Sequence, residues 1–108
     1  MLEEQKNEIE VYETRRFSKA LSKLPEQSLY LVEDEIEKII KNPKIGENKK
    51  GDLDFLRVHK FSLNNQLIML GYHWKENKLE LYLLDIGTHE NFYQEQKQYR
   101  KSDLKIIK

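Results

Sequence analysis

The hydrophobic period of this chain shifts from helical to strand-like at Asn42-Pro43, and that shift limits the folds open to it. Before it, Phe17, Ala20, Leu21 and Leu24, and then Leu29, Val32, Ile36, Ile39 and Ile40, recur every three to four residues. That spacing predicts two helices, each with one apolar stripe. Thr14 can cap the first. Pro25 sits where the second begins, a position that tolerates its missing N–H, and Asn42-Pro43 stops it. Two amphipathic helices joined by so short a break form an antiparallel hairpin.

After Pro43 the helical period is gone. Residues 44–52 are polar and carry Gly46 and Gly51, so they read as a loop. Residues 55–62, 66–74 and 79–87 are rich in β-branched, aromatic and aliphatic side chains and are separated by Asn64-Asn65 and Glu76-Asn77, which predicts a meander of three antiparallel strands. The runs Leu67-Ile68-Met69-Leu70 and Leu81-Tyr82-Leu83-Leu84 mark the last two as central strands covered on one face by the hairpin. Residues 8–12 alternate and read as a short edge strand. Residues 89–100 read as a closing helix, with fraying beyond it. The expected fold is α+β: a curved antiparallel β-sheet with an N-terminal helical hairpin packed on one face, as a single domain spanning residues 1–108. Its other face should be open, and any working site should lie there or at its end.

Composition narrows the chemistry. There is no cysteine, so disulfides, thiolate nucleophiles and cysteine metal sites are excluded, and the fold suits a reducing, cytoplasmic setting. No apolar run is long enough to span a membrane, and the acidic start Met1-Leu2-Glu3-Glu4 lacks the order of a signal peptide. Net charge is zero, but unevenly spread. Residues 1–13 hold five glutamates against Lys6, and Glu33-Asp34-Glu35 with Glu37 follows. Positive charge gathers later, from Lys41, Lys44, Lys49, Lys50, Arg57 and Lys60 to Lys97, Arg100, Lys101, Lys105 and Lys108. A basic face can hold phosphates, although most such lysines are solvated surface. His59, His73 and His89 lack the local spacing of metal ligands, and there is no nucleophile elbow, phosphate loop or dinucleotide fingerprint.

Two stretches can carry chemistry. In residues 51–61, Leu56 and Val58 should share one strand face, Arg57 and His59 the other. A cation and an imidazole so placed can meet an anion; the alternative is a solvated polar face. In residues 87–93, Gly87 lets the chain turn, and His89 and Tyr93 are four apart, on one helical face. Histidine trades protons near neutral pH, and tyrosine stacks on bases or donates a hydrogen bond. The alternative there is that His89 caps the helix and Phe92 and Tyr93 pack the core.

The chain resembles the RelE/ParE toxin superfamily over nearly its whole length. The resemblance rests on the hairpin ending in Lys41-Asn42-Pro43, the lead Gly51-Asp52-Leu53 into Leu56-Arg57-Val58, the meander, and the closing Gly87-Thr88-His89-Glu90-Asn91-Phe92-Tyr93. This last motif is similar to that of a ParE-like branch. The resemblance implies the toxin of a type II toxin–antitoxin pair, neutralised by a cognate antitoxin, and an mRNA endoribonuclease working on the ribosome. It implies no cofactor and no metal, because RNA supplies its own 2′-hydroxyl nucleophile. Carried over, it points to His89, Tyr93, Arg57 and Lys60 as catalytic and to His59 and Arg100 as RNA-binding. Two departures weigh against the endoribonuclease, and the ParE-like likeness raises the alternative, a non-enzymatic toxin that binds and poisons DNA gyrase. The chain is neutral where ribosome-directed relatives are basic, and Gln66 and Met69 stand where many relatives have arginine.

Overall fold

The computed structural model describes residues 8–108; the acidic opening, residues 1–7, lies outside them. Strand β1 (Glu10–Glu13) leads into helices α1 (Arg15–Ser22) and α2 (Glu26–Lys41). A two-residue strand β2 (Glu47–Asn48) and a 3-10 turn (Gly51–Leu53) follow. Then come β3 (Arg57–Leu63), β4 (Gln66–Lys75) and β5 (Glu80–Thr88), and helices α3 (His89–Gln98) and α4 (Arg100–Ile107). The sheet order is β1-β5-β4-β3-β2.

Local chemistry accounts for most boundaries. The Phe17 N–H donates to Thr14 Oγ1 at 3.1 Å, the expected cap of α1. Asn42, ahead of Pro43, leaves the helical region at φ −143°, as a residue preceding proline must. Asn64 and Asn65 take φ of 52° and 66°, the paired left-handed residues of a tight hairpin turn, and they set Leu63 opposite Gln66.

The meander is antiparallel throughout, whereas β1 joins β5 in parallel, Glu10 opposite Glu80 and Glu13 opposite Leu83. The chain passes through both helices and the meander before reaching β5, the long crossover that a parallel neighbour requires. The segment between α2 and β3 is also more ordered than a loop: Glu47 and Asn48 pair with Val58 and Arg57 and form the other edge.

The hairpin covers one face, as expected. Phe17 of α1 and Ile39 of α2 pack on Leu70, Tyr72, Leu81 and Leu83, and Val32 packs on Leu63 and Ile68. The second face is not open. Phe92 of α3 and Ile107 of α4 close over Leu53, Leu56, Val58, Met69 and Leu84. The continuous apolar runs in β4 and β5 therefore reflect burial on both faces rather than one, and the C-terminal helix extends well past residue 100.

Two features seat α3 on that second face. A Cβ on Gly71 would lie 2.8 Å from the Phe92 ring and 3.0 Å from Leu56, so only glycine lets the helix lie this close. A bulge sets Gly71 opposite Asp85 while Tyr72 faces Leu83, and Thr14 Oγ1 donates to the carbonyl of the intervening Leu84 at 2.7 Å.

Asp85, in an otherwise apolar strand, has partners. Arg16 of α1 grips Asp103 of α4 with two hydrogen bonds of 2.9 Å, donates to Gln96 of α3 at 3.2 Å, and stacks over Tyr99, 4.3 Å from the ring centre. Its Nε lies 3.3 Å from Asp85 Oδ2 but is not aligned for a hydrogen bond. Gln96 donates to Asp85 at 2.7 Å, and the Ile86 N–H reaches its other oxygen. Burial opposes the charge on Arg16, and the hydrogen bond and charge of Asp103, then Asp85, outweigh it, so its pKa lies above the ordinary value. One cation thus ties the hairpin, the sheet and both C-terminal helices.

Candidate nucleic-acid face

Strand register decides which candidate residues meet. Arg57 and His59 stand opposite Tyr72 and Leu70, two side chains of the core beneath the hairpin. They therefore face the hairpin. His59 Nε2 lies 2.7 Å from Glu35 Oε1 of α2, with the imidazole only 12% exposed. Arg57 donates to the carbonyls of Gly46 at 2.8 Å and Lys44 at 3.3 Å, just past the end of α2. His89 opens α3, which packs on the opposite face. The expectation that Arg57 and His89 share one uncovered surface is overturned. The alternation along β3 is as expected, but its assignment to faces is reversed, because Leu56 and Val58 belong to the core under Phe92.

Lys60, of the other parity, does lie on the face that carries α3. It stands opposite Met69, which in turn stands opposite Gly87. Met69 is fully buried and Gln66 exposed at the hairpin turn. Gly87 lies in β5 with no left-handed φ, so the chain does not turn there, and a Cβ on it would meet nothing within 4 Å. The sheet is bare at that point, beside exposed His89 and the 45%-exposed Leu67.

Tyr93 lies one turn beyond His89 on the same side of α3. It packs against the second core and meets Phe92 edge-on, with ring centres 5.3 Å apart. Its hydroxyl oxygen is buried and makes no hydrogen bond among the described residues. Lys49 approaches from β2. Glu47 pairs with Val58, which puts Glu47 and, two residues on, Lys49 on the α3 side. Lys49 Nζ lies 5.0 Å from the Tyr93 ring centre and 3.1 Å from Glu47 Oε1. Tyr93 first, then Glu47 against the cost of burial, hold the Lys49 pKa above the ordinary lysine value. Lys49 was hidden within an apparent loop; the one sequence signal for it is the alternation Glu47-Asn48-Lys49.

Arg100 donates Nε to the Asp52 carbonyl at 2.7 Å, fastening α4 to the 3-10 turn. His73 Nδ1 donates to the Phe55 carbonyl at 2.7 Å. His59 and His73 lie on opposite faces of the sheet, and among the described residues no three histidine, aspartate or glutamate side chains gather in metal-binding geometry. Among the described residues no helix is long and apolar enough to cross a membrane. The site that remains is Lys49, Lys60, His89 and Tyr93, two ammonium groups on the sheet with an imidazole and a phenol on the helix above it.

No curated protein matches the chain. Among solved structures, the toxin of the intact E. coli RelBE toxin–antitoxin complex superposes with a TM-score of 0.62 at 18% identity, covering 76% of this chain and 98% of that one. A free E. coli RelE toxin with two arginines replaced by alanine gives 0.64 at 18%, covering 83% and 95%. The RelBE2 toxin–antitoxin complex of Mycobacterium tuberculosis gives 0.63 at 18%, covering 75% and 98%. At these identities the likeness is one of fold, and it is the RelE fold that the α+β expectation describes. The family model for the ParE-like toxin of type II bacterial toxin-antitoxin systems matches residues 11–97, and the chain belongs to that family.

Proposed function

We propose that this toxin is a metal-independent endoribonuclease that cuts mRNA on the ribosome and is restrained by a cognate antitoxin. One juxtaposition carries the reading: His89 and Tyr93 share a side of α3, and Lys49 and Lys60 share the sheet face on which that helix lies. In such a site His89 takes the proton of a ribose 2′-hydroxyl or gives one to the leaving 5′-oxygen. The 2′-oxygen bonds to phosphorus and the bond to the 5′-oxygen breaks, leaving a 2′,3′-cyclic phosphate and a 5′-hydroxyl. Lys60 steadies the charge on the pentavalent phosphate, and Tyr93 stacks on a base or shares its hydroxyl. Arg57 and His59 fall outside this reading because they face the hairpin, Arg57 held by the carbonyls of Lys44 and Gly46 and His59 by Glu35, and Arg100 because its Nε anchors α4.

The restraining partner follows from the same face. The related E. coli RelE was solved with its antitoxin. Here an antitoxin segment would lay carboxylates over Lys49, Lys60 and His89 and an apolar side chain on Leu67. The test is controlled expression with mRNA and plasmid supercoiling followed together. Rapid loss of translated mRNA, reduced at least a hundredfold by His89→Ala, is the expected result. The second reading, a gyrase-binding toxin, is favoured by the neutral net charge and by the withdrawal of Arg57 from the face. Intact mRNA with altered supercoiling would establish it and overturn the first.

A further inference from the structure

The Tyr93 hydroxyl is an anomaly. It is buried and meets no partner in hydrogen-bond geometry among the described residues, its polar neighbour being Lys49, and Tyr93 is held in place by Phe92 and by the core beneath it. Beside it stands an ammonium group, Lys49, 20% exposed and committed on its outer side to a carboxylate, Glu47, 65% exposed. Lys60 is close enough to Glu47 to help hold that carboxyl's pKa down, behind the larger hydrogen bond and charge of Lys49. A carboxylate oxygen thus already lies 3.1 Å from Lys49, the ammonium that flanks the Tyr93 ring, and it comes from a largely exposed side chain.

We propose that Lys49 is a phosphate-binding residue of this face, and that Glu47 occupies in the free protein the position a phosphodiester oxygen takes when single-stranded RNA binds. The inference deepens the endoribonuclease reading and rests on it. On binding, Glu47 leaves Lys49, a phosphate oxygen replaces it, and the Tyr93 hydroxyl gains an acceptor. No bond is made or broken; one anion exchanges for another. The chain thus carries an internal competitor for its own ligand, so removing the competitor should strengthen binding. A purely structural Lys49–Glu47 pair predicts no such gain.

The experiment measures binding of a mixed-sequence, fully 2′-O-methylated single-stranded RNA, which has no free 2′-hydroxyl and cannot be cut, across a range of salt concentrations. Lys49→Met should weaken binding by about five- to tenfold, the scale of one charge-assisted contact, and reduce the salt slope by about 0.7. Glu47→Gln should tighten it several-fold. Lys49→Arg, which keeps the charge, should retain most of the affinity and so separates a lost contact from a damaged fold. Lys78→Met, at the far turn of the meander, should change nothing. If the parent binds this RNA and cuts mRNA while Lys49→Met and Glu47→Gln bind as it does, the role of Lys49 is wrong and the endoribonuclease reading stands. If the parent neither binds nor cuts RNA, both fall.

Discussion

Glu35 is the member of the acidic run on α2 that turns inward, and its energetics are a contest. Burial pushes its carboxyl up, but hydrogen bonds from His59 and Lys38, with the charge of Lys38, prevail and hold it below the ordinary glutamate value. A carboxyl held low in the fold contributes stability above its unfolded pKa, roughly 4.3, and that contribution is lost as pH falls through the folded value. Glu35→Gln should therefore cost about 1 kcal/mol near neutrality and flatten the acid limb of the stability profile, read from urea unfolding at a series of pH values. An unchanged acid limb would mean that the pair with His59 carries no energy. Asp103 makes a stronger case: its side chain is 1% exposed and takes both arms of Arg16. Asp103→Ala leaves a partly buried guanidinium short of its main partner and should cost about 3 kcal/mol, seen as a lowered urea midpoint. Neither pairing was legible in advance, because a sequence shows where a charge is but not which distant element meets it. Asp85 within an apolar strand was the one visible sign that a buried partner existed.

At the level of elements, the hairpin and the meander could be read because each has a period that only one secondary structure satisfies. The helical stripes ending at Pro43 and the strand runs divided by Asn64-Asn65 fall where the structure has them. Beyond the parallel pairing of β1 and the covering of the second face, three things escaped. β2 has two residues, too few for a period. The C-terminal segment past residue 100 is polar outside Leu104, Ile106 and Ile107, and the groups that hold it, Arg16 and the core around Leu56, are far away in sequence. The face of β3 was misassigned because both of its faces are partly apolar, with Phe61 and Leu63 on one and Val58 on the other. The docking of α3 offers a direct test. Gly71→Ala places a methyl against the Phe92 ring and Leu56 and should destabilise by about 1–3 kcal/mol through overpacking, with a matching fall in melting temperature. Since α3 bears His89 and Tyr93, toxicity in growth assays should decline with it. Wild-type stability in Gly71→Ala would show that the helix can withdraw without cost.

Across the whole molecule, charge is balanced in sum and divided in space. Arg57 and His59 serve the joint between hairpin and sheet, while Lys49, Lys60, His89 and Tyr93 share the other face. The Arg16–Asp103 pair bears on when that second face can exist. The two residues are 87 positions apart, and α3 lies between them in the chain. A ribosome adding about 5–20 residues per second takes on the order of 4–17 s to pass from one to the other. Throughout that interval Arg16 lacks its chief carboxylate partner, and α3, made only near the end of it, is not yet pinned. The surface bearing His89 and Tyr93 is therefore the last part of the fold that synthesis can complete.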